Sequence, residues 1–216
     1  MAEPHHTEVT LTGYRYSVYT RIVRLALIEK QVDHAYREVD PFTDPPPAAL
    51  LALHPFGRVP VLTHEGFVIY ETSAILRYID AAFSGFPLVP QDPRALGRME
   101  QVIAIADSYA YWPLVRQVFA HRIFRPFLGS APDETEIAAG LAAAPTVLQA
   151  LEAIAAEGLQ LSGKTLSLAD LHLAPMIGCL ALTPEGAALL AACPALHRWW
   201  QVIHRRGSYT ATDPGF

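Results

Sequence analysis

Apolar residues recur in two rhythms along this 216-residue chain, and the rhythm changes near residue 85. Early in the chain, Val9-Thr10-Leu11-Thr12 reads as a strand. Ile22, Val23, Leu25, Ala26 and Ile28 then follow helical spacing across 20–30, which predicts a helix packed on a sheet. A second strand is expected over 34–39. Residues 40–47 hold four prolines in eight positions and interrupt any regular element. One or two helical turns fit 48–53. Residues 59–63 and 67–70 are apolar β-formers on either side of the turn-like His64-Glu65-Gly66, the pattern of a hairpin. Ala74, Ile75, Tyr78 and Ile79 place a helix directly after it. A helical crossover makes the first two strands parallel, and a tight hairpin makes the last two antiparallel. The prediction is an α/β N-terminal domain with a mixed four-stranded sheet, of thioredoxin type.

Ser84-Gly85-Phe86-Pro87-Leu88-Val89-Pro90-Gln91 is a proline-rich break, and no strand pattern follows it. The domains are therefore drawn as 1–84, a linker over 85–91 and an all-helical bundle over 92–216. Helical spacing covers 95–112, 114–127, 133–156, 167–182, 184–192 and 194–204. Pro113 separates the first two of these, and a kink or break is expected at Pro145. Ser167-Leu168-Ala169-Asp170 fits a helix-capping box set among leucines, so Asp170 is assigned to folding. The residues after His204 show no pattern and are candidates to cover a pocket.

Composition narrows the possible functions. A formal charge of −5 without a basic cluster argues against nucleic-acid binding. The apolar run 173–182, which holds a proline and a glycine, is too short to cross a bilayer, and the first ten residues lack the apolar core of a secretory signal. Cys179 and Cys193 have neither Cys-x-x-Cys nor metal-ligand spacing. They read as buried thiols of a reducing compartment, so a soluble, cytoplasmic protein without a bound metal is expected.

The chemistry concentrates at the hairpin. Pro60 lacks an N–H for a ladder, and a cis Val59-Pro60 bond would let the N–H and C=O of Val59 point outwards together. An extended peptide could then pair with Val59 as an added strand. Just beyond the hairpin, Glu71 offers a carboxylate, while Thr72 and Ser73 offer capping hydroxyls at a helix N-terminus. Amide donors suit a ligand carboxylate and Glu71 suits an ammonium, which together describe an amino-acid head group. Alone, either motif is an ordinary strand or an ordinary cap. Together at hairpin spacing they point to a ligand site.

Five segments in order, at 17–30, 55–62, 71–75, 167–175 and 194–199, resemble the cytosolic glutathione transferases, of a serine-type, bacterial-like kind with no subclass assigned. The likeness covers nearly the whole chain. It implies glutathione as co-substrate, a homodimer, and a transferase that conjugates the glutathione thiolate to a small apolar electrophile. By resemblance, Val59 pairs with the cysteinyl backbone, Glu71 and Thr72 hold the γ-glutamyl head, and Arg58 lies near the glycine carboxylate, with His54 a weaker candidate there. Ser17 matches the family's catalytic serine or cysteine, and its Oγ would donate to the glutathione sulfur. Tyr14, near the end of the first strand, stands where another branch carries a tyrosine donor.

The second substrate is expected between the domains. Tyr16, Tyr109 and Trp112 are the main candidates to line its pocket, with Tyr111, Phe119 and Phe124 further ones. A serine at position 17 makes mixed-disulfide chemistry improbable. Val18 replaces a common proline, and Thr72 replaces the usual serine but keeps the hydroxyl. A glutathione-dependent peroxidase, isomerase or dehalogenase shares this thiolate site, and a non-catalytic binding or scaffold protein shares the fold.

Overall fold

A computed structural model describes residues 8–216. The reading of the extreme N-terminus falls on residues 1–7, outside the described residues. The chain divides into two units between Phe86 and Pro87.

In the first unit, β1 (Val9–Gly13) is an inner strand that buries Val9 and Leu11 on one face and Thr12 on the other. α1 (Val18–Glu29) buries Ile22, Val23, Leu25, Ala26 and Leu27. β2 (Ala35–Glu38) runs parallel to β1, and its four residues are exposed at the sheet edge. After the short α2 (Ala48–Leu51), β3 (Val61–His64) and β4 (Phe67–Tyr70) form the hairpin, which gives the order β2-β1-β3-β4. β3 is antiparallel to both of its neighbours, β1 and β4.

Two details differ from expectation. β3 begins at Val61, not at 59, because Pro60 has no N–H to give to the ladder. His64 joins the strand, so the turn shrinks to Glu65-Gly66, with φ of 49° and 82°, the positive pair that matches hairpin twist. α3 (Thr72–Ala82) follows and buries Ile75, Leu76 and Ile79.

The second unit is helical, with one correction to its segmentation. α4 (Pro93–Ile105), capped by Asp92, continues without a break into a π-helical segment, Ala106–Phe124, and then into α5 (Arg125–Phe127). Pro113 therefore lies inside a helix and separates nothing. The wider π turn lacks the i−4 hydrogen bond that a proline removes, which lets the ring be carried. α6 (Glu134–Glu157) likewise runs through Pro145. Its buried stripe of Ile137, Gly140, Ala144, Val147, Leu148 and Leu151 packs on the π-helical segment. Gly140 is needed there, because a Cβ would stand 2.7 Å from the Pro113 carbonyl oxygen.

By length and composition α6 could also cross a membrane, a property the apolar run at 173–182 did not reveal. Its contacts with the π-helical segment and with α9 (Pro194–Ile203) are those of a bundle helix. α7 (Leu168–Ala181) is the centre of the bundle, with thirteen of its fourteen residues buried. α8 (Pro184–Ala191) precedes α9. A last helix, α10 (Gly207–Ala211), forms where no pattern was legible, and it buries Ser208 and the following Thr212.

Candidate active site

Sheet register gathers the predicted residues of the first unit. Thr12 of β1 pairs with Val61 of β3, and Val61 pairs with Tyr70 of β4. One row across three strands thus marks one end of the sheet. The chain leaves β1 there towards Ser17, enters β3 there through Val59-Pro60, and leaves β4 there into Glu71.

Ser17 is the N-cap of α1, with extended backbone and an Oγ that accepts the Thr20 N–H at 3.2 Å. Accepting through a lone pair leaves the hydroxyl proton for donation. Gly13 brings Thr20 close, since a Cβ there would stand 2.3 Å from Thr20 Cγ2. Tyr14 donates its backbone N–H to Thr20 Oγ1, and its ring meets Tyr16 edge-on at 5.5 Å and Phe42 at 5.8 Å. Burial, and then the negative charge of Asp40, raise the Tyr14 phenol above its usual value of 10.0. Raising it makes Tyr14 a poorer donor to an anion.

The Val59-Pro60 bond is cis. Among the described residues, neither the N–H nor the C=O of Val59 takes part in a backbone hydrogen bond. Arg58 beside it is exposed. Glu71 is exposed too and takes the N-cap position of α3 with φ 69°, its side chain capping nothing. Thr72 and Ser73 were expected to cap this helix. Instead Thr72 is its first residue and is buried, because helical backbone begins immediately after the left-handed Glu71.

His54 is also buried, and its ring lies 4.5 Å from that of Tyr70. No sequence signal pairs these two residues, because the contact joins a loop to the end of a strand far along the chain.

The residues expected to line the second-substrate pocket fall in both units. Tyr16 belongs to the first, where the Arg15 guanidinium lies 4.9 Å over its ring. Tyr109 and Trp112 belong to the π-helical segment of the second and are 65% and 59% exposed, while Phe119 is buried. Asp170 is fully engaged elsewhere: it accepts from the Ser167 N–H and from Trp199 Nε1, each at 2.7 Å. Among the described residues no group of three His, Cys, Asp or Glu is placed to hold a metal ion.

Family models agree with this layout. The glutathione S-transferase N-terminal domain matches residues 11–87, and the C-terminal domain of the same family matches 111–206. Glutathione S-transferase 3 of Zea mays is 30% identical over 88% of this chain and 87% of its own length. The chain belongs to the glutathione S-transferase family. A second relative, glutathione S-transferase hmp2 of Hypomyces subiculosus, is 31% identical over 91% of this chain and 94% of its own. The apo structure of glutathione S-transferase III superposes with a TM-score of 0.83 at 30% identity, covering 95% of both chains. Glutathione transferase F7 from Populus trichocarpa gives 0.82 at 27% identity, over 94% of this chain and 97% of its own. As in other glutathione S-transferases, a four-stranded mixed sheet precedes a helical domain.

Proposed function

We propose that the chain binds glutathione at the shared end of β1, β3 and β4, ionises its thiol, and joins the sulfur to a small apolar electrophile. The observation that carries this reading is the Val59 backbone, which has no backbone hydrogen-bond partner among the described residues, at the end of the sheet where Ser17 and Glu71 also stand. Val59 pairs with the cysteinyl unit as an added strand. Glu71, exposed and capping nothing, takes the γ-glutamyl ammonium. Thr72 and the first amides of α3 take the adjoining carboxylate. Arg58 balances the glycine carboxylate.

A thiol of pKa about 8.5 is only about 3% ionised at pH 7, and lowering it by two units needs about 2.7 kcal/mol of selective thiolate stabilisation. A hydroxyl hydrogen bond from Ser17 and the positive end of α1 supply stabilisation of that kind. The thiol proton leaves to solvent. The sulfur lone pair then forms the carbon–sulfur bond, and a leaving group departs or the electrophile's double bond takes up a proton. A homodimer and a cytoplasmic location belong to the same proposal.

Conjugation of a chlorodinitrobenzene tests the assignment. Ser17→Ala lowers kcat/KM by about 10²-fold, the scale of one lost anion-stabilising donor. Tyr14→Phe changes it less than fivefold. The reverse result assigns activation to Tyr14. A panel of peroxides and isomerisable or halogenated substrates separates conjugation from the other thiolate chemistries. Failure to bind glutathione at millimolar concentration leaves only the scaffold reading.

A further inference from the structure

We propose that His54 is a positioning residue for glutathione: its neutral imidazole ties the turn carrying Arg58 and Val59 to the strand end carrying Glu71, and protonating it loosens the grip on glutathione. The inference rests on the glutathione site proposed above.

Three hydrogen bonds pin His54 at the start of the turn. Its N–H donates to the Leu50 carbonyl at 2.8 Å, and its own carbonyl accepts the Gly57 N–H at 2.9 Å. The third reaches the ring, where the Phe56 N–H donates to Nδ1 at 3.3 Å. A backbone amide can only donate, so Nδ1 accepts and the neutral ring carries its proton on Nε2. Gly57, at φ 60°, closes the turn and leads straight into Arg58 and Val59.

The same ring lies on Tyr70, 4.5 Å between centroids and 32° between planes, and Tyr70 is the last residue before Glu71. Only 3% of His54 is exposed. One buried side chain therefore spans both halves of the clamp.

The charged groups that act on His54 are Glu71 and Arg58. Burial is the largest influence and lowers the imidazole below its usual 6.5, Glu71 opposes that shift, and Arg58 adds to it. A depressed histidine keeps its neutral contacts above pH 6.5 and loses them as pH falls through the lower, folded value. Protonation puts a hydrogen on Nδ1, so the Phe56 N–H loses its acceptor. The imidazolium is then drawn to the Glu71 carboxylate, the group assigned to the ligand ammonium, and it repels Arg58.

Isothermal titration of the full chain with S-methylglutathione between about pH 5 and pH 7 tests this, with the melting temperature recorded at each pH. S-methylglutathione has no thiol to ionise, and over that range its carboxylates stay ionised and its amine protonated, so changes in affinity report the protein. Wild-type affinity is expected to fall about fivefold towards pH 5, the scale of one hydrogen bond.

His54→Asn keeps an acceptor for the N–H two residues on but does not titrate, so its affinity stays within about twofold across the range. His54→Phe keeps a ring on Tyr70 without the acceptor, and it binds about fivefold more weakly at every pH. At saturating glutathione, kcat stays within about twofold in both variants, which a general structural loss would not leave intact. A wild type that binds glutathione but shares its pH profile with His54→Asn overturns this proposal alone. A wild type that does not bind glutathione at pH 7 overturns the site and this proposal together.

Discussion

The helices α3 and α7 start with the same chemistry, a carboxylate and a hydroxyl at the N-terminus, and use it in opposite ways. At α7 every group is satisfied internally. Asp170 is buried and accepts from the Ser167 N–H and from Trp199 Nε1, while Gln160 donates to the Ala95 carbonyl and turns its Oε1 towards Ser167. At α3, Glu71 is exposed, bends the backbone into the left-handed region at φ 69°, and caps nothing. A satisfied helix start is a folding element. One left open at the end of the sheet, near the Val59 backbone, is where the ligand is proposed to bind. Motif identity does not separate the two; the partners do.

The contrast breaks first at Asp170. Asp170→Ala leaves the Trp199 indole N–H and the Ser167 amide buried without acceptors, a loss of about 3–5 kcal/mol. Differential scanning calorimetry should show melting lowered by roughly 10 °C. Glu71→Gly sharpens the other side. Glycine adopts φ 69° without strain, so stability rises by up to about 1 kcal/mol while glutathione affinity drops by about tenfold or more. Calorimetry and a glutathione titration on the same sample check both signs; a fall in stability with affinity kept would assign Glu71 to folding.

The smallest effect is a pH trend at Asp170. Ser167 Oγ stands 2.6 Å from Gln160 Oε1 and 2.7 Å from Asp170 Oδ2, and one hydroxyl proton cannot serve both. A proton on Asp170 completes the network. Burial raises this carboxyl above its usual 3.8, against the lowering effect of its hydrogen bonds. The folded chain therefore holds a proton that the unfolded chain releases, and the stability this contributes is fullest below pH 3.8 and declines as pH rises through the folded value. Asp170→Asn cannot titrate. Denaturant unfolding at stepped pH should show wild type losing ground to this variant as pH rises, and parallel curves would count against a shared proton.

Much of this was legible in the sequence where the signal is local. The hairpin, the α1 cap at Ser17 and the box at Ser167 and Asp170 follow from side-chain period and from hydrogen bonds spanning three residues. Pro113 misled because proline was read against an α-helical ladder, whereas the chain takes a wider π turn there. α10 escaped because five residues are too few for a period to show, and its place depends on burying Ser208 and Thr212. At the site, Val59 and Glu71 were visible as motifs, but the left-handed backbone of Glu71 and the Tyr70 contact of His54 were not.

By itself, then, the sequence determined most of the strands and helices, the caps at Ser17 and Ser167, and the motifs at the hairpin from which the clamp is proposed. Those are matters of local geometry and of an apolar rhythm that needs only a solvent. The tertiary structure alone decided which polar groups are left without a partner. That depends on sheet register and on contacts such as His54 with Tyr70, which join residues distant in the chain and so leave no trace in any short stretch of it.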